Sequence, residues 1–268
     1  MKKCDCKGYK SCLCNKELTI FKDLTEEEFN KLATGMTCFH FNKGEYICYE
    51  GEKLSKLFLI SKGSVKTSKL TKGGKEQIMH IFSVGDYFGE TSLFNNEGGI
   101  LFNAIALNDV IVCAVDKDKV DSVLEENPRI AIVVLKSLTN RLKDTEEFAH
   151  KLVTNDVRVR IAYMLKEFKR KYGKIENGEI FIDLPINRED MANYCGITRE
   201  TMSRKLSIFE HEGLIEIRGN KSLIIKDIER LNKILFKNLF FHNSFIFKWG
   251  NIGLWVSSTF LYKSIFNS

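Results

Sequence analysis

Four of the eight cysteines crowd the start of the chain as Cys4, Cys6, Cys12 and Cys14, in the pattern Cys-x-Cys-x5-Cys-x-Cys. Thiolates at such short spacing favour soft metals. A fifth, Cys113, lies in the apolar run Val110-Ile111-Val112-Cys113-Ala114-Val115. The residues alone leave several readings open: a zinc site, an oxidisable thiol switch or, for Cys113, a small core side chain. Cys38, Cys48 and Cys195 sit in apolar or turn contexts and read as core. The five histidines are scattered without ligand spacing, which leaves haem ligation by His40 or His80 a minor option.

A second group of residues carries a different chemistry. In the stretch Arg188 to Leu206, one helix is expected to end near Cys195-Gly196 and another to start at Thr198, a good N-cap. Ala192 allows close helix approach, Gly196 supplies the turn, and Ile197, Met202 and Leu206 fill the wedge. The outer face of the second helix then presents Arg199, Glu200, Ser203, Arg204 and Lys205. Such a set can donate to guanine, accept from cytosine N4 and grip phosphates. A charged helical face alone is usually only solvated surface. Here Leu214-Ile215-Glu216-Ile217, a turn at Arg218-Gly219-Asn220-Lys221, and Ser222-Leu223-Ile224-Ile225 add a hairpin with a basic tip, the wing of a winged helix.

These groups need elements to position them. At 268 residues, 44% apolar and 28% charged, with only two prolines, the chain reads as folded over most of its length and as two domains. Lys+Arg number 41 against 35 Asp+Glu, so the net charge of +6 permits a polyanionic partner without demonstrating one. Leu24-Thr25-Glu26-Glu27-Glu28-Phe29 reads as a short capped helix. Between Cys38 and Val115 short apolar runs alternate with turn signals such as Asn42-Lys43-Gly44, Lys72-Gly73-Gly74-Lys75 and Gly85-Asp86, as in an antiparallel roll or barrel. From Ala131, steps of four and three through Leu135, Leu138, Leu142, Thr145, Ala149 and Leu152 mark a heptad seam. Such a seam most simply pairs with its own copy across a twofold axis; packing against the roll is the alternative.

Taken with Gly63-Ser64-Val65-Lys66, Gly85-Asp86-Tyr87-Phe88-Gly89-Glu90 and Ile197-Thr198-Arg199-Glu200-Thr201-Met202-Ser203-Arg204, the chain resembles the Crp/Fnr family from about Leu24 to Leu231. The resemblance implies an α+β protein: a cyclic-nucleotide-binding-like β-roll (a double-stranded β-helix), a long dimerisation helix and a C-terminal winged helix-turn-helix. The corresponding divisions are a Cys-rich leader at 1–18, a sensor roll at 19–118, the dimerisation helix at 119–153, the DNA-binding domain at 154–231 and a tail without assigned role at 232–268. It implies a homodimer on an inverted-repeat promoter with half-sites about one DNA turn apart, and RNA polymerase as a further partner. By position, Glu200, Ser203 and Arg204 match the base readers of the oxygen-sensing branch, and Arg199, Glu200 and Arg204 those of the cyclic-AMP receptor. A TTGA-type half-site is the expected target.

In the oxygen-sensing branch, three leader cysteines and one roll cysteine hold a 4Fe-4S cluster, and Cys113 falls at that roll position by alignment with the dimerisation helix. The leader departs from the family's usual Cys-x2-Cys-x5-Cys, so either Cys4 or Cys14 is surplus to four ligands. In the cyclic-nucleotide branch, Gly-Glu is followed by an Arg-Ser pair that clamps the phosphate. Gly89-Glu90 is present, but Gly99-Ile100-Leu101-Phe102-Asn103-Ala104 contains neither arginine nor serine, which argues against cyclic AMP.

No Gly-x-Ser-x-Gly or Gly-x4-Gly-Lys-Ser/Thr motif occurs, so the reading is not an enzyme. A redox electron-transfer protein would leave the helix-turn-helix without purpose, and a regulator answering another small effector stays open. Met1-Lys2-Lys3-Cys4-Asp5-Cys6 lacks the apolar stretch of a secretory signal, so a cytoplasmic protein with reduced cysteines is expected. The aromatic tail from Phe240 to Tyr262 is interrupted by His242, Asn243, Lys248 and Asn251 and reads as no membrane span.

Overall fold

The alternation of apolar runs and turn signals becomes a two-sheet roll. A computed structural model describes residues 2–3, 25, 27, 36–94, 99–153, 156–176, 178–219 and 221–235, with backbone alone for 2–3 and 148–153. The leader cysteines, the helix expected after Leu24 except Thr25 and Glu27, the seam residues Ala149 and Leu152 as side chains, and the tail from 236 onward lie outside the described residues.

One sheet has the order β1 (Lys2–Lys3), β2 (Met36–Phe41), β9 (Val110–Asp116), β4 (Lys56–Lys62), β7 (Tyr87–Phe88). The other runs β3 (Tyr46–Cys48), β8 (Asn103–Ala106), β5 (Val65–Leu70), β6 (Glu76–Phe82). Side chains alternate across each strand. Phe58 and Ile60 of β4 and Val110, Val112 and Ala114 of β9 therefore fill the roll, where Phe58, Phe82 and Phe88 stack with centroids 5.0 and 5.7 Å apart. Leu57, Leu59, Cys113 and Val115 point the other way, under the helices that follow. The Gly85 to Glu90 segment bends so tightly that Gly89 takes φ 97°, and a Cβ there would collide with the Lys56 carbonyl oxygen.

After a short α1 (Glu90–Phe94), the expected dimerisation helix is two helices, α2 (Lys117–Glu126) and α3 (Pro128–Val153). Between them Asn127 takes φ −137° and ψ 84°. The ring of Pro128 disfavours helical backbone at the residue before it, and proline is tolerated at a first helical position because that N–H has no intrahelical partner. On α3, Ile130, Val133 and Val134 pack on the roll. Ile132, Leu135 and Leu142 remain 53%, 61% and 59% exposed in the single chain, with Leu138 and Thr145 half-buried beside them. One face of α3 thus covers the roll, and the stripe through Leu135 and Leu142 is uncovered in the single chain.

The C-terminal domain contains α4 (Val157–Tyr172), β10 (Gly173–Glu176), β11 (Glu179–Asp183), α5 (Arg188–Cys195), α6 (Arg199–His211), β12 (Ile215–Arg218) and β13 (Ser222–Ile225), then helical residues 228–235. Its sheet has the order β10-β11-β13-β12. The two domains share a core, because Ile78 and Ile81 of β6 and Leu107 pack with Ile161, Leu165, Met191 and Tyr194. None of the described helices is long and apolar enough to cross a membrane.

Candidate nucleic-acid interface and sensor elements

The turn between α5 and α6 is built by its caps. Asn187 and Asp190 form a reciprocal capping box at the start of α5. Gly196 ends that helix in the left-handed region with φ 65°. The Thr198 hydroxyl then accepts the Thr201 backbone N–H at 3.2 Å and opens α6.

The inner side of α6 is fixed by apolar burial. Met202, Leu206 and Phe209 are at most 1% exposed, and Ala192 at 1% lets α5 lie against them. Each fully buried side chain of this kind contributes roughly 1.5–3 kcal/mol. At the far end, the Arg158 guanidinium of α4 donates twice to Glu212, both at 2.7 Å, and lies 5.1 Å from the Phe209 ring centroid. Arg160 donates to the Cys195 carbonyl at 2.9 Å, satisfying the last turn of α5. The Ile217 backbone N–H donates to Glu210 at 2.8 Å and ties the wing strand to α6.

This leaves the outer face of α6 open. Arg199, Glu200, Ser203 and Arg204 are exposed and Lys205 is half-buried. Among the described residues, none of Arg199, Arg204 and Lys205 engages an ion pair, whereas Arg158, Arg218 and Arg230 of the same domain do. The Glu200 carboxyl is held below its ordinary range, first by its own backbone N–H and then by the Thr198 hydroxyl, so it is an anionic acceptor at the N-terminus of α6. Arg218 and Lys221 are exposed at the wing tip. The five residues singled out from the sequence therefore share one helix, four of them exposed, on the side away from the core.

The sensor elements differ more from expectation. Glu90, 7% exposed, receives Arg141 of α3 at 2.7 Å. The same guanidinium donates to the Tyr87 carbonyl at 2.8 Å and lies 4.6 Å from the Tyr87 ring centroid and 5.2 Å from that of Phe82. Arg141 thereby joins α3 to the roll. In the segment where a phosphate clamp would lie, Ile100 is buried and Phe102 packs at the edge of Phe88, centroids 6.2 Å apart.

Cys113 is fully buried, and its sulfur is joined to Cys38 in a disulfide with a Cα–Cα distance of 4.1 Å. This corrects the expectation that the described cysteines are reduced and that Cys38 is only a core residue. The reason is register: Cys38 on β2 lies directly opposite Cys113 on β9, so both sulfurs fall on the same face. Cys48 and Cys195 are buried free thiols whose burial raises each pKa to about 12, so they stay protonated and unreactive. Among the described residues no group of three or more His, Cys, Asp or Glu side chains gathers as a metal site. Of the candidate cluster ligands, Cys113 alone lies among the described residues, where its sulfur is paired with Cys38.

A roll of the cyclic-nucleotide-binding type joined to a winged helix-turn-helix with an open reading face defines a DNA-binding transcription regulator. Comparison with known proteins agrees domain by domain: residues 38–127 match the cyclic nucleotide-binding domain and residues 159–234 the Crp-like helix-turn-helix domain. The chain is 30% identical over 212 residues to a CRP-like cAMP-activated global transcriptional regulator of Mycobacterium tuberculosis, covering 79% of this chain and 94% of the relative. It is 30% identical over 190 residues to Electron transport regulator A of Shewanella oneidensis, covering 71% and 75%. The structure of FixK2 from Bradyrhizobium japonicum shares the fold, with a TM-score of 0.67 at 24% identity over 74% of this chain and 96% of that one. The chain belongs to the Crp/Fnr family of transcription regulators. Regulators of this family bind promoter DNA and act as dimers.

Proposed function

We propose that the chain binds an inverted-repeat promoter as a homodimer, reads TTGA-type half-sites with Arg199, Glu200, Ser203 and Arg204, grips the DNA backbone with Lys205, and changes its DNA affinity with oxygen or redox state through its cysteines. The observation that carries DNA reading is the α6 face: charged, exposed and without ion pairs among the described residues, on a helix whose other side is locked. Redox control is supported by the cysteine-rich leader and by the place of Cys113 under α2 and α3. A 4Fe-4S cluster requires Cys113 to be reduced and draws its other thiolates from Cys4, Cys6, Cys12 and Cys14. RNA polymerase is the further partner that promoter action requires.

The test is anaerobic purification of the full chain with iron and sulfide analysis, followed by binding to a TTGA-type inverted repeat before and after air. The reading predicts about four irons per dissociable cluster and a loss or gain of affinity of at least roughly tenfold (1.4 kcal/mol) on air exposure. Binding that ignores air, in a chain without iron, contradicts redox control while leaving DNA reading intact.

A second reading, control by a cyclic nucleotide, is favoured by the matched domain and by the name of the Mycobacterium tuberculosis relative. Glu90 engaged by Arg141, and Phe102 packed on Phe88, weigh against it. Equilibrium titration with cyclic AMP decides: saturable binding that strengthens DNA affinity establishes the second reading.

A further inference from the structure

Cys38 and Cys113 are prearranged for reversible bond formation. Six register pairs, from Met36↔Val115 to Phe41↔Val110, hold β2 against β9 independently of any sulfur chemistry. The strand ladder keeps the two Cα atoms close whether or not the bond exists, so both redox forms retain the sheet, and closing the bond adds little ordering cost. The two sulfurs are unequal. Cys113 is fully buried, beside Leu57, Leu59, Val115, Val120, Val123 and Ile130, whereas Cys38 is only half-buried on the strand flanked by the two-residue β1. Exchange therefore enters through Cys38, and its consequence is felt under α2 and α3. Breaking the bond moves two sulfurs from bonding to van der Waals separation inside a packed cluster, which presses on the helices that lead to the dimer seam.

From this arrangement the structure assigns Cys38 and Cys113 as a thiol–disulfide switch in which Cys38 controls whether the Cys113 sulfur is available to any other ligand or partner. It rests, for its effect on iron, on the redox reading above. The oxidant is a low-molecular-weight disulfide. The Cys38 thiolate attacks one of its sulfurs, one small thiolate leaves, and a mixed disulfide forms on Cys38. The Cys113 thiol then attacks Cys38 Sγ, its proton passing to the departing small-molecule sulfur. The Cys38–Cys113 bond forms, the second small thiol leaves with that proton, and the protein has passed two electrons and one proton to the oxidant. Reduction reverses both steps. A chain with the bond closed cannot offer Cys113 to iron, so disulfide formation and cluster assembly exclude one another.

The experiment equilibrates the full-length protein anaerobically at graded ratios of reduced to oxidised glutathione, labels thiols with N-ethylmaleimide in denaturant so that buried Cys113 is reached, and maps the labelled peptides by mass spectrometry. Cys38 and Cys113 are expected to lose label together, to regain it together on reduction, and to do so with unchanged far-UV circular dichroism. Cys38→Ser should keep Cys113 labelled at every ratio, and after pre-oxidation it should take up several-fold more iron than the similarly treated parent. Full labelling of both cysteines under oxidising ratios, or pairing of either with a leader cysteine instead, overturns the switch. If neither reduced protein takes up iron, the cluster reading fails, and the labelling of the parent chain still decides the switch.

Discussion

Lys66 on β5 donates to Asp190 on α5 at 2.7 Å across 124 residues of sequence, and this contact ties the sensor roll to the first helix of the DNA-binding domain. Lys66 also donates to Glu76 at 2.8 Å, and both Lys66 and Asp190 side chains are only 12% exposed. Asp190 closes the α5 capping box as well, so one carboxylate serves the domain contact and the helix start. Asn193 donates to Glu76, Gln77 to the Tyr194 carbonyl and Lys75 to the Ile197 carbonyl, which places the β5–β6 hairpin on the helix-turn-helix itself.

Removing Asp190 should therefore act on stability and on DNA reading together. Asp190→Ala leaves the buried Lys66 ammonium with one partner and costs about 3 kcal/mol, the low end for breaking a buried pair. Chemical denaturation reads the loss. Burial alone lowers the Lys66 pKa, but Asp190 and Glu76 outweigh it and the value lies above the ordinary lysine range. The stability this group contributes is complete below the unfolded lysine pKa and fades as pH rises through the raised native value. The parent should weaken at alkaline pH more steeply than Asp190→Ala.

His80 gives the opposite end of the pH range. Burial first, then the positive charges of Arg141 and Lys171, lower its pKa to about 4. The unfolded chain binds this proton near the ordinary histidine value and the folded chain does not, so stability falls as pH drops from about 6.5 to about 4. His80→Gln should flatten that part of the stability curve, as thermal melts at stepped pH would show; an unchanged slope would place His80 elsewhere.

On α6, Arg204→Ala should relax sequence preference rather than merely weaken binding. Single-base substitutions in each half-site should lose roughly 1–3 kcal/mol of discrimination at the base Arg204 reads, with Glu200→Ala acting at a different base. Lys205→Ala should lower affinity evenly across sequences and reduce the salt slope by about one unit, measurable by fluorescence anisotropy at several ionic strengths.

The exposed stripe of α3 predicts assembly. Leu135 and Leu142, 61% and 59% exposed in one chain, contribute little to its folding. Leu135→Asp with Leu142→Asp should yield a folded monomer by sedimentation and reduce affinity for an inverted repeat at least about 100-fold, the loss of linked binding at two half-sites. A double variant that still sediments as a dimer would move the seam.

What was legible in the sequence followed from local rules. Thr198 as cap, Gly196 as turn and Met202 and Leu206 as wedge are local decisions, and the helix-turn-helix and wing lie where their residues placed them. The β10–β11 hairpin was missed although Ile175-Glu176-Asn177-Gly178-Glu179-Ile180 carries the Asn-Gly turn signal, because helical residues on either side dominated that stretch. Asn127-Pro128 broke the helix that the family resemblance ran unbroken from 119 to 153. The Cys38–Cys113, Arg141–Glu90 and Lys66–Asp190 contacts join residues 51 to 124 positions apart, and only strand register and domain packing bring them together.

The most direct measurement is equilibrium competition between a fluorescent TTGA-type inverted repeat and unlabelled random duplex, with the purified full-length chain under anoxic and under aerobic buffer. A preference of at least about 1,000-fold for the inverted repeat in one of the two states is the predicted result. Equal competition by random duplex in both states would contradict the reading of residues 199–205 as a base-reading surface.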